Sequence, residues 1–445
     1  MTLSRRSRTR SIAHLMLALT VALIGGGARA QLRMPGLNLS LPERISPLDS
    51  ELLRRPERLL DNSLVKDLRG LRLDQAGALL RRHPDLLEAD PGGAPARRHE
   101  ILAWSPSPAA LAAARAAGLT PLRTTVLSGL DETLVVLGVP AGEDTAAMLA
   151  RLRTLDPDGV YDFNHVYQGG GAAGAAHAPA GAPASEGQPA AAGAPAIGLV
   201  DGGVDGTHPV FSRTAIHRWG CDGVVHPSAH GSAVAALMAG HSAWLSGAAP
   251  AATLYAADIY CDNPAGGAAE TVAAALAWLA GERVPVINLS IVGPPNRALE
   301  RAVGALIRRG HVLVAAVGND GPAAPPLYPA SYPGVVGVSA VDRRGQVLPE
   351  AARGAQVMFA APGSDMVSAA PGAPPYKRVR GTSFAAPIVA ALLAEKLARP
   401  DPALARAAIA ALAAQAGAAR NPETGFGIVG MALRTDPGAL RRSAE

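Results

Sequence analysis

One serine near the C-terminal end of the sequence has the neighbours expected of a catalytic nucleophile. Ser383 follows Gly381 and Thr382 and precedes the run F-A-A-P-I-V-A, which predicts a buried helix that begins at or beside the serine. Its hydroxyl would be exposed there, and its backbone N–H would point out of the positive end of the helix, where it can stabilise a developing oxyanion. An ordinary capped core helix has the same local pattern, so the rest of the chain must decide.

Three more polar residues stand where predicted strands end or helices begin. Asp201 directly follows the strand-like A-I-G-L-V, where a partly buried acid can orient an imidazole. His230 opens the small-residue helix of S-A-H-G-S-A-V-A, and Asn319 follows the strand V-L-V-A-A-V. With Ser383 they supply an orienting acid, a base, an oxyanion donor and a nucleophile for acyl transfer. Asn319 is also a normal turn residue within N-D-G.

Neighbouring polar residues allow other interpretations. Asp205 and His208 lie further along the loop after Asp201, and we expect them to shape that loop. His226 and His230 have metal-like spacing in H-P-S-A-H. However, the intervening Pro227 interrupts the helix that such a pair needs, and no glutamate follows the first histidine. The sequence therefore favours no metal site and no cofactor.

Several motifs together resemble the subtilisin-like serine peptidases, or subtilase family. The matching stretches, over about residues 196–435, are D-G-G-V-D-G-T-H-P, H-G-S-A-V-A, V-I-N-L-S, A-A-V-G-N-D-G, Y-P-A-S-Y-P-G-V-V-G-V-S-A-V-D, F-A-A-P-G and G-T-S-F-A-A-P. Each is short, but their common order is specific to the family. The Asp, His, Ser order and an asparagine oxyanion donor are those of subtilisin.

The resemblance implies a role for each of these residues. Ser383 would be the nucleophile, and His230 the general base and then the general acid. Asp201 would hold the histidine tautomer and balance the imidazolium. Asn319 and the Ser383 N–H would receive the tetrahedral oxyanion.

The resemblance also implies a substrate-binding edge after Asn288. An extended peptide would pair there as an added strand. The residues of this edge are Ser290, Ile291, Val292 and Gly293.

The sequence departs from the family pattern beside the acid and beside the histidine. Gly202 stands where the family usually has Thr or Ser. Ser232 and Ala233 replace the threonine and second histidine of the common H-G-T-H-V-A. Neither departure removes a reacting atom, so they bear on the fine geometry of the site.

Strand-like and helical runs alternate from residue 196 onwards. This alternation predicts an α/β domain at residues 196–435, with a doubly wound, mostly parallel sheet and helices on both faces. Residues 99–167 read as β-α-β-β-α-β, the order of a small α+β ferredoxin-like domain, which resembles a subtilase propeptide in topology. Such a prodomain would be an intramolecular inhibitor and folding chaperone, and the enzyme a zymogen.

The remaining segments complete the predicted organisation. Residues 31–98 read as helical and irregular, and residues 436–445 as a tail. Residues 168–195, rich in Gly, Ala and Pro, predict a flexible linker; their three successive glycines lack the G-K-[ST] of a phosphate loop.

Residues 1–30 have the pattern of a secretory signal peptide: arginines, an apolar run and a final A-R-A. A retained anchor is the alternative, although the run is short for a membrane span. The leader holds five arginines and no acids, which leaves 36 basic and 36 acidic residues in the rest of the chain. This balance gives no case for nucleic-acid binding. We expect an exported protein, periplasmic or secreted, with no membrane span after signal cleavage.

Cys221 and Cys261 are the only cysteines. An even count in an exported protein favours one disulfide, with two unpaired thiols as the alternative.

Three functions agree with these features. The first is an exported serine endopeptidase that acts on proteins or peptides. A hydrolase of non-peptide acyl groups could use the same residues, but the peptide-pairing edge argues against it. A non-catalytic binding protein on the same fold is the third, and the intact set of four polar residues argues against that.

Overall fold

The computed structural model describes residues 64–169 and 193–438, with side chains from Leu73 onwards. The predicted signal peptide, most of the predicted linker and most of the predicted tail lie outside the described residues. Within these two ranges, no helix combines the length and the apolar character that a membrane crossing requires.

The larger domain is built on a seven-stranded sheet in the order β14-β13-β12-β10-β7-β9-β8. Every neighbouring pair in it is parallel. Its strands are β7 (Ala196–Asp201), β8 (Ile216–Trp219), β9 (Thr253–Asp258), β10 (Val286–Leu289), β12 (Val312–Ala316), β13 (Val336–Val341) and β14 (Val357–Pro362). The predicted doubly wound α/β fold is confirmed.

Helices cover both faces of this sheet because successive strand residues point to opposite sides. In β12, Val312 and Val314 belong to one buried core and Leu313 to the other. Helices α4 and α7 contribute to the first core, and α5 and α6 to the second. The helices of this domain are α4 (Ala229–Ala239), α5 (Ala269–Gly281), α6 (Arg297–Arg308), α7 (Thr382–Ala394) and α8 (Pro402–Ala416). Three short strands, β11 (Ile291–Val292), β15 (Met366–Ala369) and β16 (Tyr376–Val379), lie outside the main sheet.

Residues 64–169 form an antiparallel sheet with helices against one face. Its strands follow the order β5-β2-β4-β3, the pairing of a ferredoxin-like split unit, and β1 adds to the beginning of β2. The elements are α1 (Leu64–Arg82), β1 (Leu87–Ala89), β2 (Pro95–Trp104), α2 (Pro108–Ala116), β3 (Thr120–Leu127), β4 (Glu132–Gly138), α3 (Thr145–Leu155) and β5 (Val160–His165). The predicted domain start at residue 99 is too late, because β1 and the first residues of β2 already belong to the sheet.

The other face of this small sheet packs against α5 and α6. Strand β4 shows the alternation: Val135 and Leu137 are buried with the small domain's own helices, whereas Leu134 and Val136 join the core that holds α5 and α6. Asp162 Oδ2 accepts a hydrogen bond from the N–H of Arg297, the first residue of α6, at 2.8 Å. Strand β4 is therefore buried on both faces, whereas the edge strand β3 is largely exposed.

The chain leaves the small domain earlier than the sequence predicts. The run V-Y-D-F-N-H-V-Y-Q predicts one strand over residues 160–168, but β5 ends at His165. Gln168 and Gly169 then form a separate strand, β6, which pairs antiparallel with β11 of the larger domain. The first two residues of the predicted linker thus pair with a strand of the larger domain.

Candidate active site

Asp201 and His230 form the best-defined polar pair of the site. The Nδ1 atom of His230 lies 2.8 Å from Asp201 Oδ1 and 2.9 Å from Oδ2. Asp201 is 1% exposed at the carboxyl end of β7, and His230 stands in the first turn of α4. Burial of the ring lowers the pKa of His230, but the charge and hydrogen bond of Asp201 outweigh it and hold that pKa above its ordinary value. The pair can therefore act as a base with an oriented imidazole.

The other ring nitrogen of His230 and the hydroxyl of Ser383 are both buried. Neither His230 Nε2 nor Ser383 Oγ has a hydrogen-bond partner among the described residues. The His230 ring packs against Phe384, with ring centroids 5.4 Å apart, so it lies beside the serine's chain neighbour. Unpartnered buried polar atoms cost free energy and are concentrated at functional sites. The hydroxyl was expected to be exposed, and in the structure it is not.

Small residues let the two segments that carry this pair approach closely. Ser228 caps α4, and its Oγ accepts a hydrogen bond from the N–H of Gly231 at 3.0 Å. A Cβ at Gly202 would lie 2.6 Å from the same Oγ. The glycine at the family's usual Thr or Ser position therefore makes room for the cap of the histidine helix. Ser232, the other departure, accepts a hydrogen bond from the N–H of Asp205 through its Oγ at 3.0 Å.

Asn319 lies next to the beginning of α7. Its Oδ1 accepts a hydrogen bond from the N–H of Thr382 at 3.0 Å. Gly381 has a φ of +131°, and a Cβ there would lie 3.0 Å from Asn319 Nδ2. Ser383 is the second residue of α7, so its N–H is one of the first-turn donors that have no partner inside a helix. An amide side chain and a backbone N–H are thus brought to one place.

The predicted substrate edge adjoins the serine. Ser290 Oγ donates to the carbonyl oxygen of Ser383 at 2.9 Å and accepts from Asn288 Nδ2 at 2.9 Å. Ile291 and Val292 form β11, opposite Gly169 and Gln168 respectively.

The segment that contains Tyr167 and Gly169 also contacts the His230 ring and the backbone of Gly267 and Pro294. A Cβ at Gly169 would lie 3.7 Å from the His230 ring. Tyr167 donates its N–H to the Gly267 carbonyl at 2.8 Å, and its buried hydroxyl donates to the Pro294 carbonyl at 2.8 Å. An extended segment of this chain therefore occupies the predicted edge and reaches the imidazole.

The neighbouring polar residues have structural contacts. Asp205 Oδ1 accepts from the N–H of Thr207 at 3.1 Å, and His208 Nε2 lies 2.7 Å from the Pro375 carbonyl oxygen, so both shape the loop as expected. His226 Nδ1 lies 2.8 Å from Asp262 Oδ2, apart from the Asp201–His230 pair.

Cys221 and Cys261 lie at disulfide distance, with sulfur atoms 2.09 Å apart and Cα atoms 5.5 Å apart. With Asp258 they are the one group in residues 64–169 and 193–438 whose side chains approach metal-like spacing, but both sulfurs face each other. Asp258 is paired across the sheet with Asp201; burial, with Asp201 nearby, raises its pKa despite hydrogen bonds from the N–H groups of Cys261 and Tyr260.

Sequence reasoning missed the residues that support the site. Ser228, Asn288 and Thr382 each hold a predicted site residue or its helix through the hydrogen bonds above, and Thr382 Oγ1 also accepts from the N–H of Gly318 at 3.2 Å. Only Ser228 had a local signal, since a serine before a small-residue helix is a cap pattern. The Thr382 contacts join distant segments, and the Asn288 side chain bonds to Ser290 only two positions away, a contact that no sequence pattern indicates.

Comparison with known proteins agrees with this geometry. The model of the subtilase family (Peptidase_S8) matches residues 193–428. Thermitase from Thermoactinomyces vulgaris is 32% identical over 204 residues, which cover 44% of this chain and 71% of thermitase. Subtilisin E from Bacillus subtilis is 31% identical over 210 residues, which cover 44% of this chain and 53% of that protein. The chain thus spans about half the length of the latter relative.

A solved structure resembles the fold over a longer part of the chain. Fervidolysin from Fervidobacterium pennivorans, described as a keratinolytic enzyme related to subtilisin, superposes with a TM-score of 0.60 at 19% identity. The match covers 80% of this chain and 62% of fervidolysin. At that identity the likeness concerns the fold alone. With a family match over more than half of its length, the chain belongs to the subtilase family and is a serine-type endopeptidase.

Proposed function

We propose that this protein is an exported serine endopeptidase whose reaction is carried out by Asp201, His230 and Ser383. His230 Nε2 takes the proton of Ser383 Oγ as this oxygen attacks the carbonyl carbon of a peptide bond. It then gives the proton to the leaving amine. Asp201 keeps the proton on Nδ1 and balances the imidazolium. Water repeats the sequence on the acyl-enzyme and frees the serine.

Asn319 and the Ser383 N–H receive the oxyanion of each tetrahedral intermediate. A fixed side-chain amide and a helix N-terminal N–H are donors that do not have to reorganise during the reaction. The hydrogen bond from the Thr382 N–H to Asn319 Oδ1 supports this role, because it engages the acceptor end of the amide and so fixes which end is the donor.

The observation that carries the proposal is the Asp201–His230 pair, whose free nitrogen and the Ser383 hydroxyl are both buried without partners among the described residues. Covalent labelling by a fluorophosphonate tests it. Wild type should be labelled on Ser383 and Ser383→Ala should not be. If wild type is not labelled even when β6 no longer occupies the substrate edge, the protein is a non-catalytic binding protein. Parallel assays on casein and on a short-chain ester separate a peptidase from an esterase.

We further propose that the protein is made as a proenzyme, with residues 64–169 as an intramolecular inhibitor and folding chaperone. Strand β6 on β11, with Gly169 beside the His230 ring, supports inhibition by occupation of the substrate edge. We place the first cut after β6, within a window from Tyr167 to Pro195, because the Gly- and Ala-rich linker there can enter the site. The domain division predicted from the sequence, with an earlier start for the small domain, follows from the same proposal.

Export is proposed from the sequence of residues 1–30. In Ser383→Ala, which cannot cut itself, the exported protein should begin at Gln31, after the A-R-A motif. Retention of residues 1–30 in a membrane fraction would favour the anchor instead. Protein or peptide substrates are the partners that this function requires, and the even charge balance gives no reason to expect nucleic acid.

A further inference from the structure

The register of β6 identifies the position of the residue that a substrate presents to Ser383. Gln168 lies opposite Val292 and Gly169 opposite Ile291, so a peptide in this register has its next residue opposite Ser290. Ser290 donates its hydroxyl to the Ser383 carbonyl. Gly169 already lies beside the His230 ring, so we infer that the next residue, opposite Ser290, is the one whose carbonyl carbon meets the nucleophile; we name it the acyl residue. This step rests on the proposed function.

The side chain of the acyl residue must point toward Val292. In a strand, every second side chain lies on the same face, and directly opposed residues of an antiparallel pair share a face. Ser290 and Val292 are two positions apart, so the acyl residue lies on the face that carries Val292. The Val292 side chain is itself buried, at 6% exposure.

Leu327 lies near Val292, as two distances from Gly318 show. A Cβ at Gly318, the residue before Asn319, would lie 2.5 Å from Leu327 Cδ1 and 3.7 Å from Val292 Cγ1. Gly293 and Tyr328 exchange two backbone hydrogen bonds, of 2.8 and 3.0 Å, which tie the Val292 segment to the Leu327 segment. Val292 and Leu327 thus both lie against Gly318, next to the proposed oxyanion donor, and backbone hydrogen bonds tie their two segments together.

We propose that Val292 and Leu327 restrict the acyl residue to glycine, with alanine tolerated, so that this peptidase cleaves after the smallest side chains. A larger side chain would overlap Val292 and Leu327, and overpacking a fixed wall costs free energy. The sequence of the chain agrees: Gly169 is followed by Gly170, Gly171 and a stretch rich in Ala and Gly. The protein's own segment thus offers small residues where the proposed first cut falls.

Four internally quenched peptides test this preference. The enzyme is expressed as the full chain and assayed after activation. The peptides copy V-Y-Q-G-G-G-A-A, residues 166–173, with Gly, Ala, Leu or Phe at position 170. We expect kcat/KM to be highest for Gly, lower for Ala, and at least about 100-fold lower for Leu and Phe. Cleavage of the Leu or Phe peptide as fast as the Gly peptide would overturn the inference.

Variants of the two wall residues provide the second arm. Val292→Gly and Leu327→Ala should each raise kcat/KM for the Leu and Phe peptides relative to the Gly peptide by about 10-fold or more. Val292→Ala is the milder alternative if Val292→Gly does not fold. Leu404→Ala, at an exposed position on α8, and Val224→Ala, at an exposed position of the catalytic domain, are matched controls that should leave the ratios unchanged. Equal changes for all four peptides would overturn the inference.

Fluorophosphonate labelling in the same samples separates the two proposals. An enzyme that is labelled on Ser383 but cleaves none of the four peptides retains the proposed function and overturns the glycine inference. An enzyme that is neither labelled nor active overturns both.

Discussion

Asn319 and Thr382 are joined by a hydrogen bond from the Thr382 N–H to Asn319 Oδ1, at 3.0 Å, although 63 positions separate them in the chain. The bond ties the end of β12 to the start of the nucleophile helix. It fixes the side chain of Asn319, the proposed oxyanion donor, relative to the start of the helix that carries Ser383.

Asn319→Ala should lower kcat by about 10²–10³-fold, the range typical of removing one oxyanion donor. KM should change little, because the oxyanion exists only after attack. Steady-state kinetics on one peptide substrate measure both constants. Thermal unfolding in the Ser383→Ala background is the control, since Asn319 also supports the helix start. An unchanged kcat would mean that Asn319 is only a turn residue.

The acidic limb of the pH–rate profile should lie above the ordinary range of a histidine. His230 must be neutral to accept the serine proton, and Asp201 raises its pKa against the opposing effect of burial. Protonation therefore removes activity at a higher pH than it would for a free imidazole, about 6.5. In Asp201→Asn the limb should move to lower pH, and kcat should fall by about 10⁴-fold. A limb that stays in place would show that Asp201 does not set the pKa.

Asp162→Ala should weaken the hold of the small domain on the catalytic domain. Its carboxylate accepts from the first N–H of α6, as a helix cap does. Loss of such a cap costs about 0.5–2 kcal/mol, or roughly 2- to 30-fold in dissociation constant. Activity of the processed enzyme as a function of dilution reports release of the small domain. Asp85→Ala, at an exposed position, should leave the dilution curve unchanged. Identical curves for Asp162→Ala and wild type would show that the hydrogen bond from Arg297 to Asp162 does not help to hold the two domains together.

Replacement of both cysteines by serine should destabilise the catalytic domain. The bond closes a sequence separation of 40 residues, for which the chain-entropy model gives about 3–4 kcal/mol. Chemical denaturation of the double variant in the Ser383→Ala background measures the loss without self-digestion. Two titratable thiols in the purified, unreduced protein would show that the disulfide does not form.

The sheet was predictable, and the four polar residues proposed for the site could be selected, because their signals are local. Alternating apolar runs specify strands and helices, and Asp201 and Asn319 stand directly after such runs. The same holds for the small domain, whose strand and helix order was readable although its start before residue 99 was not.

The parts that could not be predicted depend on contacts between distant segments. The strand expected to end at Gln168 breaks after His165, because Tyr167 and Gln168 pair with a different domain. Likewise, nothing near Val292 in the sequence indicates that Leu327 lies near it. Short strands are stabilised by the strands with which they pair, and the local sequence does not indicate which strand that will be.

N-terminal sequencing of wild type and Ser383→Ala, both expressed as full chains, tests the central claim most directly. The account predicts that wild type begins at a residue after Gly169, within the window that ends at Pro195, whereas Ser383→Ala keeps residues 64–169 attached. The same processed N-terminus in both proteins would mean that another protease makes the cut. An active wild type that keeps residues 64–169 covalently attached would show that the small domain is a permanent part of the enzyme and not its inhibitor.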